Sequence, residues 1–402
     1  MVIPWKPTAK VDEASAVTSA SAAARQLTAQ LCLALVTASA IAGSACSDQA
    51  PPPAGAGGSA TLTGGAAGDA AGGLGAAGAT GGSPTAGSGG QAAGSGGAGG
   101  LGFDGPLLLS ETGLYADLQR GQLSPDVLAY QVQYPLWSDG AEERRYLLLP
   151  AGARIDTEAM DSWVFPDGTT AWKEQERDGV RVSTLMLRKR AEGWQFVAYV
   201  WREDLSDAEA APAGLSDARG TPLDVPSQAQ CIECHAAKSS FLGSETNLRF
   251  LGLSAIQLSQ PGGGALTELA DSDRLTHAPG REFAAPGDAD VAAGLGYLHG
   301  NCGSCHSASH PLGSKLGMAL ELSSGQQTLE QTGFYSTTIG HGTRHIVAGT
   351  SVVVQPGDPA ASQLYVRMGI RDLEQMPPLG TEVVDVTGRG AVARLILALP
   401  PP

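Results

Sequence analysis

Two short segments of this 402-residue chain repeat one pattern, Cys231-Ile232-Glu233-Cys234-His235 and Cys302-Gly303-Ser304-Cys305-His306. C-x-x-C-H is the attachment signature of c-type haem. Two cysteines three positions apart each form a thioether to the same porphyrin, and the adjacent histidine supplies the proximal nitrogen to the iron. A chain carrying two such groups has to build its core around them, so no other feature constrains the fold as much. The two motifs use four of the six cysteines present. Two C-x-x-C pairs are also the ingredients of a four-cysteine zinc centre or of two disulfides. Against zinc stand the histidine that follows each pair and the 71 positions between Cys231 and Cys302, where zinc ribbons use about 15 to 20. Two covalently attached haems c are the expectation.

The first hundred residues read as a leader and a tether. An apolar stretch from Leu31 to Ala42 follows Arg25 and ends at Gly43-Ser44-Ala45-Cys46, the pattern of a secretory signal rather than of a membrane span. Residues 1–46 are read as a signal peptide of lipoprotein type, with Cys46 lipidated. Gly43 stands where leucine is usual, and cleavage near Ala45 without lipid is the alternative. Export also counts against free zinc thiolates, because unoccupied thiols oxidise outside the cytosol. Residues 51–100 contain 20 glycines, so residues 47–103 are expected to be a disordered Gly/Ala-rich linker. A flexible coil of that length spans roughly 40 Å. These features place the expected protein on the periplasmic side of the cell envelope, tethered to a membrane through Cys46.

From Asp104 onward the chain holds 36 acidic and 22 basic residues. With no basic stripe interleaved with aromatics, nucleic acid is excluded as a partner. Residues 104–226 read as a β-rich domain. Tyr130, Val132 and Tyr134 alternate with glutamines, and the runs Val182–Lys189 and Trp194–Arg202 flank a hairpin loop at Ala191-Glu192-Gly193. Pro166-Asp167-Gly168 and Ser138-Asp139-Gly140 are turn signals, and five of the six tryptophans fall in this part. Residues 227–285 carry the first haem motif. In residues 286–402, Asp288 or Asp290 caps a helix with Val291, Leu295 and Leu298 on one face, leading into Cys302. Val392, Leu395, Ile396 and Leu399 mark a closing helix before Pro400. The expected fold class is α+β: an N-terminal β-rich domain followed by a mainly α-helical, cytochrome c-like haem domain.

Between those helices lies Gln375-Met376-Pro377-Pro378-Leu379-Gly380. A helix entering C-x-x-C-H, a proline-stiffened loop presenting methionine, and a closing helix together resemble a class I cytochrome c. Met376 is accordingly expected as the distal ligand of the second haem, because a thioether favours ferrous iron, with Met368 as rival. The first haem has no methionine between His235 and His306. His277, His299 and Met318 are candidates, and a five-coordinate iron is the other option. His341 and His345 have ligand-like spacing in a glycine-flanked loop.

A longer series of motifs occurs in order: Leu109-Ser110-Glu111-Thr112-Gly113-Leu114, Pro135-Leu136-Trp137-Ser138-Asp139-Gly140-Ala141, Phe165-Pro166-Asp167-Gly168-Thr169, the two haem motifs, Pro356-Gly357-Asp358-Pro359, and Met376-Pro377-Pro378-Leu379-Gly380. The series resembles a family of exported bacterial di-haem c-type cytochromes. That resemblance implies electron transfer with a redox partner protein, through Cys231, Cys234, His235, Cys302, Cys305, His306 and Met376, and no catalytic residue. The alternatives are a di-haem peroxidase-type oxidoreductase with one open iron, and a haem-bearing subunit that docks a partner through its β-rich region. Trp137-Ser138-Asp139-Gly140 reads as a turn, with a substrate-pocket wall as the other reading.

Overall fold

The computed structural model describes residues 103–237 and 248–400. The expected leader, Cys46 and all of the linker except Phe103 lie outside the described residues. Ten strands are found among them: β1 (Tyr115–Asp117), β2 (Gln122–Leu123), β3 (Leu128–Tyr130), β4 (Glu142–Leu148), β5 (Thr170–Arg177), β6 (Val180–Arg190), β7 (Gly193–Trp201), β8 (Ala208–Ala210), β9 (Gly342–Val347) and β10 (Thr350–Val352). Eight helices accompany them: α1 (Gln228–His235), α2 (Ala255–Leu258), α3 (Ala265–Asp271), α4 (Ala289–Asn301), α5 (Pro311–Leu316), α6 (Gly333–Thr338), α7 (Gln363–Met368) and α8 (Val386–Ala398).

Strands β3 to β8 pair in sequence order as a six-stranded antiparallel sheet. The expected hairpin is present: Arg190 pairs with Gly193 across a two-residue turn, and the backbone of Gly193 takes a φ of 135° that suits glycine. Side chains alternate across the pleat, so neighbouring positions serve different cores. Tyr146, Trp172, Met186 and Val197 form one cross-strand row and pack with Leu109, Leu114 and Trp201. The next row, Leu147, Ala171, Leu187 and Phe196, lies on the opposite face. There Leu147 and Ala171 join Leu253, Leu258, Leu266 and Leu269, which come from beyond the first C-x-x-C-H motif. Arg145 and Lys173 pair on that same face.

The strand expected through Tyr130, Val132 and Tyr134 stops at Tyr130. Gln257 takes over the backbone of Gln133 and Tyr134. Its carbonyl accepts from Gln133 N–H (2.7 Å), its side-chain oxygen from Tyr134 N–H (3.1 Å), and its amide donates to Tyr134 O (3.2 Å). A tertiary clasp replaces a ladder there, which alternation alone does not reveal.

The fold expectation needs correcting in its second half. The described chain is a mixed α+β structure belonging to one compact unit, and a mainly α-helical cytochrome c-like domain is not what residues 286–402 form. They hold two longer helices, α4 and α8, but also the β9–β10 ribbon, helices of six residues and long connections. Glycine and proline in Pro356-Gly357-Asp358-Pro359 and Pro377-Pro378-Leu379-Gly380 interrupt helix formation. The stretch Thr343 to Val353 is rich in β-formers and pairs instead. The core is shared as well, because Ile256, Ala285 and Tyr134 pack with α4 and α8.

Helix α4 is capped by Asp288, whose side chain accepts from Asp290 and Val291 N–H. It packs against α8 through Val291, Leu295, Leu298, Val392, Leu395 and Ile396. Burying each such side chain stabilises the fold by about 1.5–3 kcal/mol. The approach is close at Gly294, where an added Cβ would stand 2.5 Å from Leu395 Cβ and 3.0 Å from Ala391 O. Alanine has the better helix propensity by about 1 kcal/mol, yet overpacking of this kind costs about 1–3 kcal/mol. Gly294→Ala is therefore expected to lower the urea midpoint; an unchanged or raised midpoint means that α8 shifts freely.

Candidate functional site

Ser227 starts α1 with a capping box, since its hydroxyl accepts from Gln230 N–H and the Gln230 side-chain oxygen accepts from Ser227 N–H (2.8 Å). The helix sets Cys231 and Cys234 on one face at i, i+3, with His235 as its last residue. His235 is clamped twice by Arg249: its carbonyl accepts from Arg249 N–H and its Nδ1 bonds Arg249 O, each at 2.8 Å. A carbonyl only accepts, so the imidazole proton sits on Nδ1 and the Nε2 lone pair is left for a ligand. The ring packs on Phe196 with centroids 4.6 Å apart. Burial pushes His235 down to about 4, so it is neutral at ordinary pH.

The second motif follows directly from α4. Cys302 ends the helix, and its carbonyl accepts from Cys305 N–H (3.2 Å) and His306 N–H (2.8 Å), a tight turn that gathers the three side chains. His306 is buried, and burial likewise pushes it down to about 4. Asn301 ties the motif to the sheet side. Its side-chain oxygen accepts from Trp137 N–H (2.6 Å), and its amide donates to Pro135 O (3.2 Å).

The two motifs meet. The Cys234 and Cys305 thiols interact electrostatically, which raises Cys234 and lowers Cys305. Burial pushes Cys231 up to about 11 and Cys302 up to about 12. Among the described residues all four cysteines are free, and no three His, Cys, Asp or Glu side chains converge to hold a metal ion.

Both motifs open on one cavity of about 2120 Å³, against about 300–1,000 Å³ for a pocket holding one drug-sized ligand. Cys231, Cys234, His235, Cys302, Cys305, His306 and Met376 all line it. Its walls include Trp163, Phe165, Leu187 and Phe196 near the first motif, and Leu312, Leu316, Val353 and Leu364 elsewhere. Large, apolar and furnished with sulfur and imidazole, it suits a flat apolar group held by soft ligands. Cations stand in the wall: Lys173 Nζ lies 2.9 Å from Glu143 Oε1, and Arg145 pairs with the same carboxylate. Burial alone would raise Glu143, but Lys173 and Arg145 outweigh it and hold the carboxyl below its usual range. Two cations against one carboxylate leave a positive excess suited to an anionic substituent.

Met376 sits on a loop laced to its surroundings. Its N–H donates to Arg367 O (3.1 Å), and the Gln375 amide donates to Pro377 O and Thr381 O (both 3.1 Å). The Trp137-Ser138-Asp139-Gly140 segment straps that loop down. Asp139 Oδ1 accepts from Glu382 and Val383 N–H (2.9 and 2.8 Å), and Trp137 Nε1–H donates to Val383 O (3.0 Å). The segment is thus a turn with a structural task, while Trp137 and Ser138 also line the cavity. Met368 lines it too but belongs to the buried core. His345 Nε2 is paired with Glu374 (3.0 Å).

The other first-motif candidates separate. His277 lies outside the cavity lining, beside Thr276. His299 lines the cavity, but its Nδ1 accepts from Leu322 N–H (3.0 Å). Its proton is therefore on Nε2, and that nitrogen offers no lone pair. Met318 remains on the cavity wall. Two residues that pattern reasoning does not single out bridge the motifs. One is Arg249. The other is His310, whose Nδ1 accepts from Leu312 N–H (3.0 Å), so that Nε2–H donates to Glu233 O (2.9 Å). Neither belongs to a sequence motif; only contact reveals them.

Comparison with protein-family models, with curated proteins and with solved structures returns no match. No helix among the described residues is long and apolar enough to cross a membrane.

His299 is held neutral by burial, which pushes it down to about 4 from an unfolded value near 6.5. The unfolded chain binds the extra proton between those values, so this contribution to stability is full above about pH 6.5 and lost as pH falls toward 4. At its limit it is on the order of 3 kcal/mol. His299→Gln is expected to flatten the fall of urea-unfolding stability across that window by up to about one proton per chain. An unchanged slope means that His299 does not titrate with unfolding.

Proposed function

We propose that this chain is an exported di-haem c-type cytochrome that passes electrons to or from a redox partner protein. The reading rests on the two intact C-x-x-C-H motifs, each opening on one apolar cavity of about 2120 Å³. Cys231 and Cys234 would hold one haem c, and Cys302 and Cys305 the other. His235 and His306 would each offer an imidazole nitrogen to an iron, and Met376 would offer its thioether to the second. The bound groups supply one-electron exchange between ferric and ferrous iron.

The chain's own residues orient and tune. Arg249 O holds the His235 proton on Nδ1 and raises the ring's basicity toward a ligand. Lys173 and Arg145 offer positive charge to an anionic edge. The Asp139 and Trp137 strap holds the Met376 loop in place. Export through the leader delivers the chain to where haem c is attached. Lipid on Cys46 would keep it at the periplasmic side of the envelope, with residues 47–103 as tether.

A second reading has one supporting observation. His277 lies off the cavity and His299 has no free lone pair, so of the three candidates Met318 alone is left, and a first iron without it would be open to an exogenous ligand. A di-haem peroxidase-type oxidoreductase would use that opening. Rapid oxidation of the reduced protein by peroxide supports the enzyme, and inertness supports the carrier.

A pyridine haemochrome assay is expected to return two c-type haems per chain; a value near zero, or stoichiometric zinc, overturns the proposal. Met376→Ala is expected to admit cyanide and abolish the thioether-to-ferric charge-transfer band, while Met368→Ala keeps it. The reverse pattern reassigns the ligand. Labelled fatty acid is expected on the wild-type protein and not on Cys46→Ala, and equal release of both from membranes removes the anchor.

A further inference from the structure

Arg249 is the residue that touches both motifs by main chain and side chain together. Its N–H and C=O close a pair of 2.8 Å hydrogen bonds with the carbonyl and Nδ1 of His235. Its guanidinium points the other way. Nη2 donates to Ser304 O (2.8 Å), between the two cysteines of the second motif, and reaches Gly303 O and Ser307 Oγ at 3.4 Å. Nη1 donates to Ser309 Oγ (3.0 Å) and pairs with Glu321 Oε1 at 2.7 Å. The side chain is only 20% exposed, so its charge is weakly screened and its fork is held in place by several partners.

We infer that Arg249 is a shared positioning residue that sets the redox equilibria of both haem centres at once. The inference rests on the di-haem reading proposed for this chain. Two physical effects run through it. The carbonyl fixes the orientation and basicity of His235, and the carbonyl's position depends on the guanidinium's grip on Gly303 and Ser304. The fixed positive charge, close to both motifs, disfavours the ferric form of each iron and so raises both potentials. Lys173 lacks this reach; it lies on the sheet, where its charge acts on Cys231 and His235 of the first motif.

The experiment is an EPR-monitored redox titration of the full holoprotein, with haem content measured on the same samples. Arg249→Ala is expected to lower both potentials, each by about tenfold in its reduction equilibrium constant, the scale of one unit charge roughly 12 Å away at an effective dielectric of about 20. It should also change the ferric EPR signals of both centres. Glu321→Gln leaves Arg249 in place and removes its counter-charge, so both potentials are expected to rise. That reversal of sign separates charge placement from general loosening, and it decides the matter if Arg249→Ala fails to fold. Lys173→Gln is expected to move one centre only. Arg249→Ala or Glu321→Gln shifting a single centre, or neither, overturns the inference while two haems per chain leave the parent reading intact. Fewer than two haems in the wild-type protein overturns both.

Discussion

The contact between the two C-x-x-C-H segments organises the molecule. His310 reaches Glu233, and Arg249 joins His235 to Ser304. Segments distant in sequence can share one cavity only if the sheet carrying the first and the helices carrying the second are built together. That explains why the hydrophobic cores cross from β4 and β5 to α2 and α3, and from Tyr134 and Ile256 to α4 and α8. It also explains the number of polar ties between early and late chain. Asn301 holds Pro135 and Trp137, Gln257 holds Gln133 and Tyr134, and Asp139 holds Glu382 and Val383.

Around the cavity the electrostatics follow burial. The chain carries a net charge of −15, yet the first motif faces Lys173 and Arg145 with Glu143 between them. The histidines of both motifs, His306 buried and His235 half-buried, are neutral because desolvation disfavours their charged form. Neutral imidazole is the form that ligates a metal, so the fold prepares both rings for the role proposed for them. Backbone partners complete the preparation at His235 by fixing which nitrogen holds the proton.

The antiparallel sheet supplies the rigid wall. Its alternation sends Tyr146, Trp172 and Met186 into one core, and Leu147, Ala171 and Leu187 to the face that meets the first motif. Phe196, in the same row as Leu187, is the surface on which His235 rests. The electron exchange proposed for this chain would ask mainly for a fixed environment of set polarity, and a sheet buried on both faces provides one.

Much of this was legible in the amino-acid order because it depends on short-range chemistry. The C-x-x-C-H spacing is set by helical and turn geometry over five residues. The β6–β7 hairpin follows from alternation around Glu192-Gly193, and α4 and α8 follow from periodic apolar faces with Asp288 as cap. What failed was extrapolation from local signals to a larger unit. Two good helices suggested a helical domain, but the Gly- and Pro-rich connections between them pair, turn or run irregularly. Likewise, the strand through Val132 and Tyr134 gave way to Gln257, a partner more than a hundred positions away. Local propensity is a weak preference that a few tertiary hydrogen bonds override. Arg249, His310 and the proton position on His299 were decided by tertiary structure alone. Each depends on which backbone carbonyl or N–H stands opposite, and no spacing within the sequence encodes that.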